Sequence, residues 1–356
     1  MAWDDASAAL PPGAVVDVLD SDGTGVATAS VQPGVPLALR CWAHQPGVPL
    51  DQALFTTRLR RALALRERLF SKPYYRLIHA DADHLPGVIC DRFGDALVVE
   101  LGIAARSVRG PLLQALEATL CPSTIVLRGE LEPRVLGSPI DGPVELPENG
   151  AVYLADLAAG QKTGWYFDQR DHRAFAARCA SGARVLDAFC YTGGFAIQAA
   201  LGGASSVLAM DRSAPALALA AQAAAANNVA EHVSLERADL LEALPAMAAQ
   251  DRRFDLVICD PPPLARQRDK RGAALSAHRH LARSAAALMS PGGILIQASC
   301  SHAVAGDRFL GALLKGLADS GRRATLIHRG GAGPDHPVHP MLPQSAYLDV
   351  VGLRLL

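Results

Sequence analysis

The chain has 356 residues, half of them hydrophobic and 19% charged, with a formal net charge of −1 at pH 7. That is enough chain for two or three domains with ample core, and the charge balance excludes a strongly basic or acidic polyelectrolyte. Seven cysteines without close pairs and no signal-like start predict a reduced cytoplasmic protein rather than a disulfide scaffold. No set of residues has zinc-ligand spacing, so no metal is expected, and the longest apolar stretches are Ala-rich helices too short and polar for a membrane span.

From the start of the chain, Pro12-Gly-Ala-Val-Val-Asp-Val-Leu-Asp-Ser-Asp22-Gly23 followed by Pro36-Leu-Ala-Leu-Arg-Cys-Trp42 predicts short strands around an Asp-Gly turn. These residues resemble the latter part of a PUA barrel, a small RNA-binding module, and the resemblance implies a shortened PUA-like β module over 1–48. A helix follows from about Leu50 to Phe70, then strands over Ala96–Glu100 and Thr124–Arg128, predicting a small central α/β domain over 49–147. Arg58, Arg61, Arg68 and Lys72 recur at helical spacing, with Arg60 and Arg66 nearby; a solvated helix face is the first reading, a strip for RNA phosphates the second. The Pro- and Gly-rich stretch from Gly137 to Gly150 reads as a linker into a C-terminal domain over 148–356.

The most informative stretch is Arg184-Val-Leu-Asp187-Ala-Phe189-Cys190-Tyr191-Thr192-Gly193-Gly194-Phe195, a short apolar strand ending in an acid and running into two glycines and a helix. Glycines allow a tight turn and a bare backbone against a ligand, and the N–H groups of the next helix favour a carboxylate or phosphate. Neither G-x-G-x-x-G nor Gly-Lys-Ser/Thr occurs here, so the dinucleotide fingerprint and the P-loop fit poorly. Further strands end at Asp211, Asp239-Leu240, Asp260-Pro261-Pro262-Pro263 and Ser299-Cys300-Ser301-His302, with an Ala-rich crossover helix from Ala214 to Asn228. Such alternation predicts a parallel sheet with its ligand at the carboxyl ends of the strands. Asp211 is placed to take both ribose hydroxyls, while Asp239 and Leu240 would stand around adenine. Each acid alone is as readily a turn former or helix cap; it is their succession that argues for one crevice. Cys190 and Cys259 read as core fillers, whereas Cys300 lies beside Ser and His at a strand end, where its thiol reaches the crevice.

These residues resemble bacterial S-adenosylmethionine-dependent methyltransferases that make 5-methylcytosine in large-subunit (23S) ribosomal RNA. The resemblance covers nearly the whole chain. It is carried by Ala159-Gly-Gln-Lys162-Thr163-Gly-Trp-Tyr-Phe167-Asp168-Gln-Arg170, the Asp187–Phe195 turn, Asp260-Pro261-Pro262, Ala298-Ser-Cys300-Ser-His302, Leu85-Pro-Gly-Val-Ile-Cys-Asp91 and Asp335-His-Pro337. It implies a Rossmann-like class I domain with a seven-stranded, mostly parallel sheet, preceded by the central domain and the PUA-like module. It implies cofactor contacts from Thr163, Phe167, Asp187, Phe189, Cys190, Tyr191, Thr192, Gly193, Gly194, Asp211, Arg212, Asp239, Leu240, Asp260 and Pro261. It makes Cys300 the nucleophile toward carbon 6 of cytosine, with Asp260 holding the ring nitrogen and exocyclic amine. RNA contacts would come from Lys162, Asp168 and Arg170, and from the basic loop Arg266, Arg268, Lys270 and Arg271 flanking the base pocket.

The chain departs from the family pattern at three places. Leu264 stands where an aromatic residue is usual, His278-Arg-His-Leu-Ala282 replaces a Tyr-Lys-x-x-Asn pattern, and Pro262 replaces the second cysteine of two-cysteine relatives. One cysteine must then act alone. His302 stays outside the catalytic set, because an exposed structural histidine fits it equally well. Two rivals remain: a methyltransferase for an exocyclic base amine, and an RNA-binding ribosome-assembly factor without turnover. A homodimer is left open by the sequence.

Overall fold

The computed structural model describes residues 10–35, 37–129, 133–264, 271–301 and 304–356. It divides into two compact units that are discontinuous in the chain. The first holds residues 1–142, 156–167 and 334–345; the second holds 143–155, 168–333 and 346–356. Against the sequence division, 1–48 and 49–142 group as one unit, 143–147 falls in the second, and 156–167 and 334–345 group with the first.

In the first unit, β1 (Val15–Leu19), β2 (Gly25–Val31) and β3 (Leu39–Ala43) form an antiparallel meander. The Asp-Gly turn between β1 and β2 is held by Asp20, whose Oδ1 accepts from the N–H groups of Asp22 and Thr24, with Gly23 at φ +81° where a side chain would be strained. Then follow α1 (Gln52–Leu69), β4 (Tyr74–His79), β5 (Val88–Phe93), β6 (Ala96–Leu101), α2 (Arg109–Leu120), β7 (Thr124–Arg128) and β8 (Arg134–Gly137). Asp51 caps α1 by accepting from the N–H of Leu54 at 2.9 Å. Strands β4 to β8 lie in sequence order, antiparallel except for the parallel β6/β7 pair that α2 connects. The buried faces of α1 and α2 (Phe55, Leu59, Leu112, Leu116) share one core with Leu77, Val99 and Ile125 of the sheet. Truncating such a leucine to alanine costs about 2–5 kcal/mol.

Arg66 corrects the reading of the basic helix face. It is wholly buried, its guanidinium paired to both oxygens of Asp83 at 2.6 and 2.8 Å. Arg58 likewise donates to the carbonyls of Trp42 and His84.

The second unit opens with a hairpin, β9 (Val144–Glu148) and β10 (Ala151–Ala155). Asn149 and Gly150 both have positive φ, as a two-residue type I′ turn requires, so the stretch read as a linker is an ordered hairpin. There follow α3 (Arg170–Arg178), β11 (Arg184–Ala188), α4 (Gly194–Leu201), β12 (Ser206–Asp211), α5 (Ala214–Ala226), β13 (Val233–Arg237), α6 (Leu240–Ala249), β14 (Phe254–Cys259), α7 (Arg271–Ala287), β15 (Met289–Ser299), α8 (Asp307–Asp319), β16 (Ala324–Gly330) and β17 (Asp349–Leu355). Strands β11 to β17 make a seven-stranded sheet in the order β13-β12-β11-β14-β15-β17-β16. All neighbours in it pair in parallel except β17, which is antiparallel to both β15 and β16. The order reverses beside β11, which lies between β12 and β14, and ligands of open α/β sheets bind at such a reversal. Ser213 caps α5, and Asn227 just beyond α5 clamps the hairpin by bonding both backbone groups of Val152.

Candidate active site

The carboxyl ends of β11, β12, β14 and β15 share one edge of the second unit, because their registers align Ala188 with Met210 and Cys259, and Cys259 with Gln297. The residues that follow each strand therefore meet there.

After β11 the backbone alternates through the left-handed region at Phe189 (φ +68°), Tyr191 (φ +49°) and Gly193 (φ +81°). For the first two this costs of order 1–3 kcal/mol each and persists only where the surroundings dictate it. The turn is held by the Cys190 N–H donating to the Met210 carbonyl at 2.9 Å and the Tyr191 N–H donating to Asp211 Oδ2 at 3.0 Å. A Cβ on Gly193 would lie 3.0 Å from Cβ of Ala220, so the glycine lets the turn close on α5.

Asp187 is wholly buried. Its Oδ2 accepts from the Ala196 N–H of α4 at 2.9 Å, while Oδ1 has no hydrogen-bond partner among the described residues. Burial, and then the nearby Asp260 and Asp211 carboxylates, push its pKa well above the ordinary carboxylate range. Thr192 Oγ1 and Gln169 Oε1 are likewise buried without a partner among the described residues. Asp211 ends β12 with Oδ1 on the Ser213 N–H at 2.8 Å. Asp239 is exposed and caps α6 through the N–H of Leu241. Asp260 follows β14, and its Oδ2 accepts from Gln169 Nε2 at 3.0 Å.

Cys300 stands one residue beyond β15, half-buried, with Sγ 4.0 Å from the carbonyl oxygen of Pro261 in the Asp-Pro turn. β14 and β15 pair in parallel, and this brings the Asp-Pro turn against the thiol. Burial pushes the thiols of Cys190 and Cys259 upward, holding both protonated within the core.

Several residues sit differently from the sequence reading. Leu240 is 2% exposed and belongs to the core with Leu244 and Met247, so it gives no open wall for a base. Arg170 turns inward: its Nε donates to Glu148 Oε2 at 3.2 Å, beside Arg173 on Glu148 Oε1. Asp168 is 3% exposed, accepting from the hydroxyl of Tyr347, while its carbonyl accepts from the Gly333 N–H. Both pack within the second unit. His278 is buried against Phe309 and Gln297, with burial lowering its pKa to about 4, and Leu264 packs partly buried on the same core. Phe189 also packs partly on that core, and Arg212 is exposed just after the half-buried Asp211 at the end of β12.

Lys162, Thr163 and Phe167 lie in the first unit. Thr163 donates to Asp91, Phe167 packs its ring 5.3 Å from that of Phe93, and Lys162 lies exposed with Nζ 4.2 Å from the centre of the Tyr166 ring. Arg271 opens α7; Arg266, Arg268, Lys270 and His302 lie outside the described residues. Gln169, Glu148 and Tyr347 are the groups absent from the sequence reading. Only Gln169 carries a signal, its place within the Asp168-Gln-Arg170 run.

The edge suits S-adenosylmethionine. Carboxylates at the ends of β11, β12 and β14 are acceptors for ribose hydroxyls and for an ammonium group, and the buried polar atoms of Asp187 and Thr192 lie beside a turn stripped of side chain at Gly193. Among the described residues no group of His, Cys, Asp and Glu could hold a metal ion, and no helix is long and apolar enough to cross a membrane.

A family model for S-adenosylmethionine-dependent methyltransferases matches residues 133–343. The chain is 34% identical over 361 residues to ribosomal RNA large subunit methyltransferase I of Salmonella arizonae, covering 97% of this chain and 90% of that protein. Its namesake in Cronobacter sakazakii is also 34% identical, over 95% of this chain and 89% of the relative. Among solved structures, SMU.776 complexed with SAH superposes with a TM-score of 0.87 at 21% identity, over 97% of this chain and 92% of that one, a likeness of fold. With carboxylates at successive strand ends and relatives matched along nearly its full length, the chain belongs to the S-adenosylmethionine-dependent methyltransferase family, alongside the ribosomal RNA large subunit methyltransferases I.

Proposed function

We propose that this protein methylates carbon 5 of a cytosine in large-subunit ribosomal RNA through a covalent adduct on Cys300. The observation that carries the reading is the thiol itself, half-buried beyond β15 with Sγ 4.0 Å from the Pro261 carbonyl. It shares a sheet edge with Asp187, Asp211 and Asp260. The names of the relatives supply the substrate class.

Carbon 5 of cytosine is a weak nucleophile. The Cys300 thiolate adds to carbon 6, forming a C–S bond and turning the ring into an enamine whose electron density lies on carbon 5. When bound, S-adenosylmethionine supplies the electrophilic methyl group that carbon 5 takes. Loss of the carbon-5 proton to a base then restores the ring double bond, and the C–S bond breaks with return of the thiolate. Asp260, oriented by Gln169, holds the ring nitrogen and exocyclic amine as charge develops. Asp211, Asp239 and the 189–194 turn hold the cofactor.

The three-stranded meander of the first unit is read as the shortened PUA-like module, and the cytoplasm, where ribosomal RNA is modified, as the place of action. Nucleoside mass spectrometry of ribosomal RNA from cells with and without this gene tests the reading: loss of 5-methylcytosine is expected. An N-methylated base lost instead, together with full activity of Cys300→Ala, would assign the exocyclic-amine chemistry. Undetectable cofactor binding by calorimetry would assign the assembly-factor role.

A further inference from the structure

Outside the edge just described, α1 of the first unit carries a row of cations. With Arg66 turned inward onto Asp83, the residues Arg58, Arg61, Leu65 and Arg68 follow one another at intervals of three and four and so share one face of the helix. Arg61, Leu65 and Arg68 are exposed, as are Arg60 beside them and Lys72 just beyond the helix end. None of Arg60, Arg61, Arg68 and Lys72 pairs with an acid among the described residues. The acids nearby are committed elsewhere: Asp81 pairs with Arg40 at 2.8 Å, Asp83 with Arg66, and Asp51 caps the helix. Glu67, the one acid within α1, is exposed about 100° round the helix from Arg68. Arg58 is half-buried, and its partners are the carbonyls of Trp42 and His84, which leave its charge uncancelled. The field of these arginines reaches the next turn, where His84 is exposed at φ +57° with its ring 6.4 Å from that of His339. Partial burial, then Arg58 and His339, hold the His84 pKa below the ordinary histidine value, with Arg61 adding to them and Asp83 opposing.

We infer that this face of α1 docks the phosphate backbone of the RNA substrate, with Arg61 and Arg68 each neutralising a phosphate. The inference rests on the RNA reading above. Like charges at such spacing repel and cost the helix stability, a cost that a bound polyanion removes. Arg61 and Arg68 stand two turns apart, about 10 Å along the axis, which suits separate phosphates of one strand better than a single small anion. Guanidinium forks match phosphate oxygens two at a time. The exposed Leu65 between them leaves the row open to a strand lying along it. In a chain whose acids and bases nearly cancel, 35 against 34, so local an excess of positive charge marks where a polyanion lands.

Arg58 also braces the carbonyls of Trp42 and His84, so the decisive variants leave it intact. The test measures binding of an unmodified large-subunit ribosomal RNA transcript to full-length protein across a salt series. The protein is compared as wild type, Arg61→Gln/Arg68→Gln and Arg61→Lys/Arg68→Lys. With two phosphate-neutralising cations removed, the Gln pair should flatten the slope of log affinity against log salt by about 1.4–1.8 and weaken binding by about tenfold or more at roughly 0.15 M salt. The Lys pair should keep the slope. Without RNA, the Gln pair should unfold at the wild-type denaturant midpoint or above it, because repulsion along the helix is relieved, and SAH affinity should match wild type in both. An unchanged slope and affinity in the Gln pair would overturn the inference, as would failure of the wild type to bind the transcript. A midpoint clearly below wild type would also overturn it, making the two arginines part of the framework. Nucleoside analysis of the same transcript after incubation separates the two readings: an arginine-dependent slope without 5-methylcytosine keeps the docking face and removes the carbon-5 chemistry. Normal 5-methylcytosine with an unchanged slope does the reverse.

Discussion

Buried charges in the core of the first unit and buried polar atoms at the sheet edge of the second are handled differently. In the first, charges that leave water are matched: Arg66 with both oxygens of Asp83, and Arg76 with both oxygens of Asp91. Asp335 accepts from the Arg76 N–H while its own carbonyl accepts from Arg66. At the sheet edge of the second unit, Asp187 Oδ1, Thr192 Oγ1 and Gln169 Oε1 are buried with no protein partner among the described residues. A paired buried charge fixes a fold, but a buried polar atom left open costs stability unless something else completes it. The contrast separates framework from site without any appeal to relatives.

The largest effect should come from the site. Cys300→Ala should lower methyl transfer on the order of 10⁴–10⁶-fold, as removal of a nucleophile does, while calorimetry finds SAH affinity within about twofold of wild type. Activity within about tenfold of wild type would remove the thiol from the chemistry. Next comes the framework. Arg76→Ala leaves Asp91 buried without its cation and should lose about 3–5 kcal/mol in denaturant unfolding; a loss below about 1 kcal/mol would show that the pairing in the first unit carries no such weight. Asp211→Ala removes a carboxylate acceptor and should raise the SAH dissociation constant about 10–100-fold, equivalent to roughly 1.5–3 kcal/mol. An unaltered binding isotherm would place the ribose elsewhere.

The smallest effect is a pH slope. Burial lowers His278 to about 4, so between that value and its unfolded value near 6.5 the unfolded chain binds the extra proton. Stability therefore falls as the medium is acidified through that window, by up to about 1.4 kcal/mol per pH unit for this histidine. His278→Gln should flatten the acid limb of the unfolding profile by that amount. A slope identical to wild type would mean that the side chain is not buried neutral. His79, lowered to about 3 by burial and by His336 and Arg76, contributes with the same sign from the first unit.

The nucleotide turn and the succession of acids are legible in the sequence because local chemistry dictates them: a strand that must end, glycine where φ turns positive, a carboxylate where the next helix begins. Strand adjacency follows from the regular crossovers, and it places Cys300 against the Asp-Pro turn. What stays hidden depends on partners far along the chain. Arg66 and Arg170 look like surface cations until Asp83 and Glu148 are found beside them. Asp335 of the Asp-His-Pro signature is 259 residues from Arg76 in sequence yet accepts from its backbone N–H, so that signature serves the framework of the first unit. The same nonlocality explains why segment 156–167 reads as part of the catalytic domain, since Thr163 bonding Asp91 leaves no periodic trace. Asn149-Gly150 carries a hairpin signal of its own, but the Pro and Gly around it make the whole stretch look like a linker.

The chemistry proposed for this protein turns on one bond, between Cys300 sulfur and carbon 6 of a cytosine. A ribosomal RNA transcript carrying 5-fluorocytosine tests it, because fluorine at carbon 5 cannot leave as a proton does and the adduct accumulates. Incubated with S-adenosylmethionine and wild-type protein, it should yield a covalent protein–RNA species whose peptide maps by mass spectrometry to Cys300, and Cys300→Ala should yield none. Turnover of the unmodified transcript to 5-methylcytosine by Cys300→Ala, or an adduct on another residue, would contradict the account.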